Sequence, residues 1–176
     1  KGIDKTPIPI NFIDWEGGRY QGDFMSPYRL HWNVPYEAGE IKVVGYIDGK
    51  KITEKQIKTA GEPAKIELVA DRNLIKSDGE DMVFVTVRVV DKEGNLCPNS
   101  DNLINFEIEG QGAIVAVGNG NAATTEPFQS NKRKAFSGQC MVFIKAFKDA
   151  GHINLKATSE GLTLAQVQVQ TKRVIN

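Results

Sequence analysis

In MVFVTVRVV, residues 82–90, Val83, Val85, Val87 and Val89 alternate with other side chains, and this two-residue rhythm recurs along nearly the whole chain. An extended strand points successive side chains to opposite faces, so such alternation is the signature of a strand with one face in a core. In YRLHWNV, Tyr28, Leu30, Trp32 and Val34 fall on one face while Arg29, His31 and Asn33 fall on the other. GEIKVVGYIDGKKI follows with Ile41 and Val43 on one face and turns at Asp48-Gly49 into a further strand. No window carries the 3.6-residue period of an amphipathic helix.

Beyond Thr59-Ala60-Gly61-Glu62-Pro63 the rhythm restarts. Ile66, Leu68 and Ala70 alternate, Ser77-Asp78-Gly79 is a turn, and the valine-rich strand runs to a second turn at Lys92-Glu93-Gly94-Asn95. INFEIEG, AIVAVG, CMVFIKAF, HINLKATS and LAQVQVQT then supply five more strands. Seven strands at this spacing predict an immunoglobulin-like sandwich. The expected fold is all-β: an immunoglobulin-like β-sandwich over residues 62–171, of bacterial type, preceded by a smaller, truncated β-sandwich module over residues 1–60. Three or four strands cannot cover an apolar face by themselves, so the partner strands of the first module are expected upstream.

Composition removes several classes of function. Across 176 residues, 22 basic and 22 acidic side chains cancel, so no net field draws the chain to nucleic acid or to an anionic membrane. No apolar run approaches the roughly 20 residues of a bilayer-spanning helix, and KGIDKTPIPI lacks the apolar stretch of a signal peptide. The chain opens on Lys1-Gly2 without an initiating Met, and it is expected to be a piece of something longer. Cys97 and Cys140 allow one intramolecular bridge, but two cysteines in this length are too sparse for a stapled scaffold. Two free thiols, with Cys140 in a strand, are the favoured expectation. His31 and His152 lie far apart and no CxxC occurs, so neither a metal site nor a cofactor is expected.

The stretch GNGNAATTEPFQSNKRKAF, residues 118–136, invites three chemical readings. A phosphate loop requires a Lys and a hydroxyl residue directly after its second glycine, and Gly118-Asn119-Gly120-Asn121 supplies neither. Glycosidase chemistry needs two carboxyl groups about 5–9.5 Å apart, and Glu126 has no evident partner. Lys132-Arg133-Lys134 reads as a solvated loop face in a neutral chain, offset by carboxylates such as Glu126. The carboxylates of DRNLIKSDGED (Asp71, Asp78, Glu80 and Asp81) lack EF-hand spacing and read as turn chemistry, with a weak calcium site as the alternative. In DWEGGRYQGDF, Trp15, Tyr20 and Phe24 sit among glycines and carboxylates, the composition of a sugar-binding surface. The competing reading is that Trp15 packs on a neighbouring domain or caps the small module.

Three longer strings then stand out together: YRLHWNVPYEAGEIKVVGYIDGK, TAGEPAKIELVADRNLIKSDGEDMVFVTVRVVDKEGN and NGNAATTEPFQSNKRKAFSGQCMVFIKAF. In this order, over about residues 26–171, they resemble the C-terminal β-sandwich domains of family 2 glycoside hydrolases of the β-galactosidase type. The resemblance implies a catalytic (β/α)₈ barrel elsewhere in the parent protein, since a barrel needs about 200 residues or more. No catalytic residue is carried over. It further implies a periplasmic, secreted or cell-surface location in a bacterium. The expected partners are the catalytic and other domains of a parent glycosidase, and glycans, with no nucleic acid and no membrane insertion. The expected function is therefore non-catalytic, supporting or spacing a catalytic barrel. The alternatives are a carbohydrate-binding module and a surface adhesin-type repeat. Residues 118–136 are expected to form a long loop with Phe128 or Phe136 tucked onto the sandwich and the basic residues facing water or a neighbouring domain.

Overall fold

The computed structural model describes residues 35–173. Its contacts divide the chain into Lys1–Gly39, of which residues 35–39 are described and carry no strand, and Glu40–Asn176. The expected strand at YRLHWNV and the aromatic cluster Trp15, Tyr20 and Phe24 lie outside the described residues.

Among the described residues every regular element is a strand. β1 (Glu40–Ile47) and β2 (Lys50–Lys58) form an antiparallel hairpin. Asp48 and Gly49 join them with φ of 49° and 76°, and two successive positive φ angles are what a tight Asp-Gly hairpin turn requires. Ile41 stands opposite Ile57, and both are more than half exposed.

The remaining nine strands make a two-sheet sandwich. One sheet has the order β3-β5-β9-β7, from β3 (Lys65–Ala70), β5 (Met82–Val90), β7 (Gly112–Gly118) and β9 (Gln139–Ala146). The other has the order β4-β11-β10-β6-β8, from β4 (Leu74–Lys76), β6 (Leu103–Gly110), β8 (Lys132–Lys134), β10 (Gly151–Thr158) and β11 (Ala165–Lys172). All neighbours are antiparallel except β4 and β11, which run parallel with Gln170 opposite Leu74 and Lys172 opposite Lys76. The seven expected strands are present. β4 and β8 are additions, each three residues long and so too short to display a period.

The valine row of β5 packs inward beside Val142 and Ile144 of β9, and Ile104, Phe106, Ile153 and Leu155 fill the core from the opposite sheet. Each such side chain contributes about 1.5–3 kcal/mol by leaving water. The turns follow the sequence: Gly79 and Gly94 have φ of 81° and 93° at the two positions where the chain reverses. Carboxylates organise both turns. Asp78 accepts from the N–H groups of Glu80 and Asp81, and Asp81 accepts from Lys76 N and from the Arg72 guanidinium. Asp71 accepts from Phe84 N, so three of the four acidic residues in this segment are spent on the backbone of their own turns and strands.

Between sheets the chain crosses from β6 to β7 through Gln111 alone. Gly110 makes that crossing possible: its φ is 97°, and a Cβ there would stand 2.0 Å from the carbonyl oxygen of His152.

Candidate functional site

Residues 119–131 leave β7 at the edge of the four-stranded sheet and return as β8 at the edge of the five-stranded sheet. Polar side chains fold the first half of this loop. Asn119 donates through Nδ2 to Lys134 O at 2.9 Å and accepts from Asn121 N, and Asn121 accepts in turn from Ala123 N. These are turns closed by a side-chain oxygen on its own backbone, and Gly120 at φ 73° supplies the left-handed residue between them. Glu126 then binds both arms of the loop: Oε1 accepts from Lys134 N at 3.2 Å, and Oε2 accepts from Thr124 Oγ1 at 3.3 Å.

At the centre is Arg133, with no solvent-exposed surface. Its Nη2 donates to Val117 O at 2.7 Å and Pro127 O at 2.8 Å, and Nη1 donates to Glu126 O at 3.3 Å. The Glu126 carboxylate lies 3.6 Å away. A buried guanidinium is tolerated only when paired and hydrogen-bonded, and here three loop and strand carbonyls and one carboxylate perform that task. The Arg133 side chain therefore ties β8, β7 and the loop together across the two sheets.

This overturns the expectation that the whole basic triplet faces water. Lys132 and Lys134 are exposed, whereas Arg133 and then Ala135 alternate inward, because the triplet is itself a strand with period two. The two phenylalanines are neither buried nor free of contact. Phe136 is 46% exposed, and Phe128 is 65% exposed with its ring over the Arg133 guanidinium carbon, 5.4 Å from the ring centroid. The buried role of Arg133 is the feature that sequence reasoning missed. No sequence period marked it, because β8 is three residues long and all three are cationic.

Beside this loop, on the outer face of the four-stranded sheet, is an open cleft of about 500 Å³. Thr86 of β5, Gly118 at the end of β7, and Gln139, Met141 and Phe143 of β9 form its floor, and Asn121 and Phe128 form the loop wall. Phe143 is fixed by an edge-to-face contact with Phe84, with ring centroids 5.4 Å apart. Among the described residues no charged side chain lines the cleft. Cys140 reaches the same region from inside the sandwich as a free thiol, and burial pushes its pKa up to about 12. Cys97 is also free, buried, and donates weakly to Gly61 O. Among the described residues no three potential metal ligands converge.

Fold and loop together define a β-sandwich module whose most elaborate polar network serves its own architecture. Glu126, whose catalytic reading lacked a second carboxylate in the sequence, is engaged by Arg133, Lys134 and Thr124. Residues 66–168 match the family described as glycoside hydrolase family 2 C-terminal domain 5, and the chain belongs to that family. Residues 14–53 match a domain of unknown function, DUF4982. Beta-galactosidase BoGH2A of Bacteroides ovatus is 46% identical over 143 residues, which are 81% of this chain and 17% of that protein. A beta-galactosidase of Thermoanaerobacter pseudethanolicus is 33% identical over 145 residues, 82% of this chain and 18% of its own length. Among solved structures, a glycosyl hydrolase family 2 member from Bacteroides cellulosilyticus superimposes with a TM-score of 0.73 at 34% identity. That superposition covers 80% of this chain and 18% of the other. The chain thus spans less than one fifth of the length of these relatives.

Proposed function

We propose that the chain is a non-catalytic accessory portion of a β-galactosidase-like glycosidase, supporting or spacing a catalytic domain carried elsewhere in the parent polypeptide. The observation that carries this reading is the match itself, which takes up 81% of this chain but 17% of a relative named as a β-galactosidase. Two further features support it. Glycoside hydrolysis needs two carboxyl groups facing one sugar ring, and Glu126 is bound by Arg133 and Lys134 rather than set free in a cleft. The chain is also shorter than the roughly 200 residues that a catalytic barrel needs.

Two measurements test the reading. The purified chain should leave a chromogenic β-galactoside intact under conditions in which the full-length parent cleaves it. Turnover by the chain alone, abolished by Glu126→Gln, would overturn the non-catalytic assignment. The parent reading frame should carry a (β/α)₈ barrel with a pair of catalytic glutamates upstream, and a frame without one removes the glycosidase assignment.

A further inference from the structure

We propose that the cleft between the Phe128 loop and the outer face of the four-stranded sheet is a binding site for a neutral hexose oligosaccharide. The inference stands apart from the accessory reading, because it concerns a surface wholly within the described sandwich.

Phe128 is the first observation. An aromatic side chain 65% exposed on a loop would ordinarily sample several orientations, yet this ring rests over the buried Arg133 guanidinium at 5.4 Å. Arg133 is itself held by Val117, Glu126 and Pro127 carbonyls, so the ring rests against a hydrogen-bonded cation while most of the side chain stays exposed. A pre-set ring is a platform on which the C–H face of a pyranose can stack without a further ordering cost.

The floor adds a second aromatic, Phe143, immobilised by Phe84. Around these rings are hydrogen-bonding groups left over from folding. Thr86 Oγ1 and the Gln139 side-chain amide make no hydrogen bond to the described residues, and Asn121 uses its Oδ1 on Ala123 N while its Nδ2 is unspent. A hydroxyl and two amides offer both donors and acceptors, as a ring of sugar hydroxyls requires. A volume of about 500 Å³ lies within the usual range of small-ligand sites.

The lining also sets the class of sugar. With no cation among the described residues that line the cleft, a uronic acid carboxylate entering it would lose water and meet only neutral donors. Neutral hexoses meet no such cost. The site therefore discriminates against acidic glycans.

The test is a titration of the ¹⁵N-labelled 176-residue chain with galactotetraose, lactose and cellotetraose, with tetragalacturonate as the acidic counterpart. Saturable amide shifts at Asn121, Phe128, Gln139 and Phe143 are expected with at least one neutral sugar below about 20 mM. Tetragalacturonate should bind at least about tenfold more weakly. Phe128→Ala removes an exposed side chain, so its spectrum should keep the dispersion of the native fold while affinity falls about tenfold or more. Thr86→Val, which keeps shape and loses a hydroxyl, should weaken binding by about threefold. The absence of saturable shifts with all three neutral sugars overturns the proposal, as do shifts confined to Trp15, Tyr20 and Phe24. Broadening of the cleft amides that grows with protein concentration and ignores sugar would identify a protein-docking face and likewise overturn it.

Discussion

Removing the Arg133 guanidinium strands Glu126 beside an emptied site and leaves the carbonyls of Val117, Pro127 and Glu126 without their donor. Arg133→Ala should therefore cost about 3–5 kcal/mol, read as a lower urea midpoint with an unchanged slope. Arg133→Met, which restores volume without charge, should recover part of that loss. Asp91 is the other residue on which local order depends. Its buried carboxylate accepts from Gly61 N, Glu93 N, Asn95 N and Asn95 Nδ2, and these donors hold its pKa at about 2. Because the folded value lies below the unfolded value near 3.9, Asp91 stabilises the fold above about pH 4, and that contribution is lost as pH falls toward 2. A melting temperature followed from pH 6 to pH 2 should drop in this window, and Asp91→Asn should flatten the drop. Cys97 and Cys140 are buried, and burial raises both thiol pKa values. Neither should react with an aromatic disulfide reagent at pH 8 until denaturant unfolds the sandwich.

Turns and short strands separate what could be read from the chain alone from what could not. Asp48-Gly49 announced its hairpin because two successive left-handed residues suit few other pairs, and the valines of β5 announced their buried face over nine residues. β8 gave no such notice. Three residues cannot show a period, and all three are cationic, so local chemistry argued for water while the pairing of Ile104 with Arg133 argued for the interior. Only the location of the facing carbonyls decides between these, and those carbonyls lie up to 16 residues away in sequence. The acidic segment after β3 was legible as turn chemistry, since Asp and Ser-Asp-Gly patterns act over two to five residues. Glycines allow a graded check at this scale. A Cβ on Gly138 would stand 2.3 Å from the carbonyl oxygen of Cys97 with φ already at 75°, whereas one on Gly94, at φ 93°, meets nothing within 4 Å. Gly94→Ala should lose about 1–2 kcal/mol from backbone strain alone, and Gly138→Ala should lose clearly more, as thermal unfolding would show.

The sandwich as a whole is completed by its last strand. β11 supplies buried Val169 and Thr171, pairs with β10, and among the described residues is the only strand that β4 joins, about 96 residues after β4 in the chain. A version ending at residue 160 should therefore lose the near-native dispersion of its amide spectrum altogether rather than one edge of it. The entry to β3 meets the same late segment, through a parallel bridge between Lys65 and Thr163, with Ile66 N donating to Thr163 O at 3.0 Å and Thr163 N donating to Ala64 O at 2.9 Å. The first and last segments of the module thus run parallel, with Lys65 beside Thr163 at one end of β11 and Lys172 beside Lys76 at the other. Tension applied across residues 62 and 173 must slide β3 and β4 lengthwise past the segment that contains β11. Bonds loaded in shear have to yield together, whereas the β1–β2 hairpin, pulled from its two ends, unzips one rung at a time. A module built this way resists stretching along the line that joins its first and last residues.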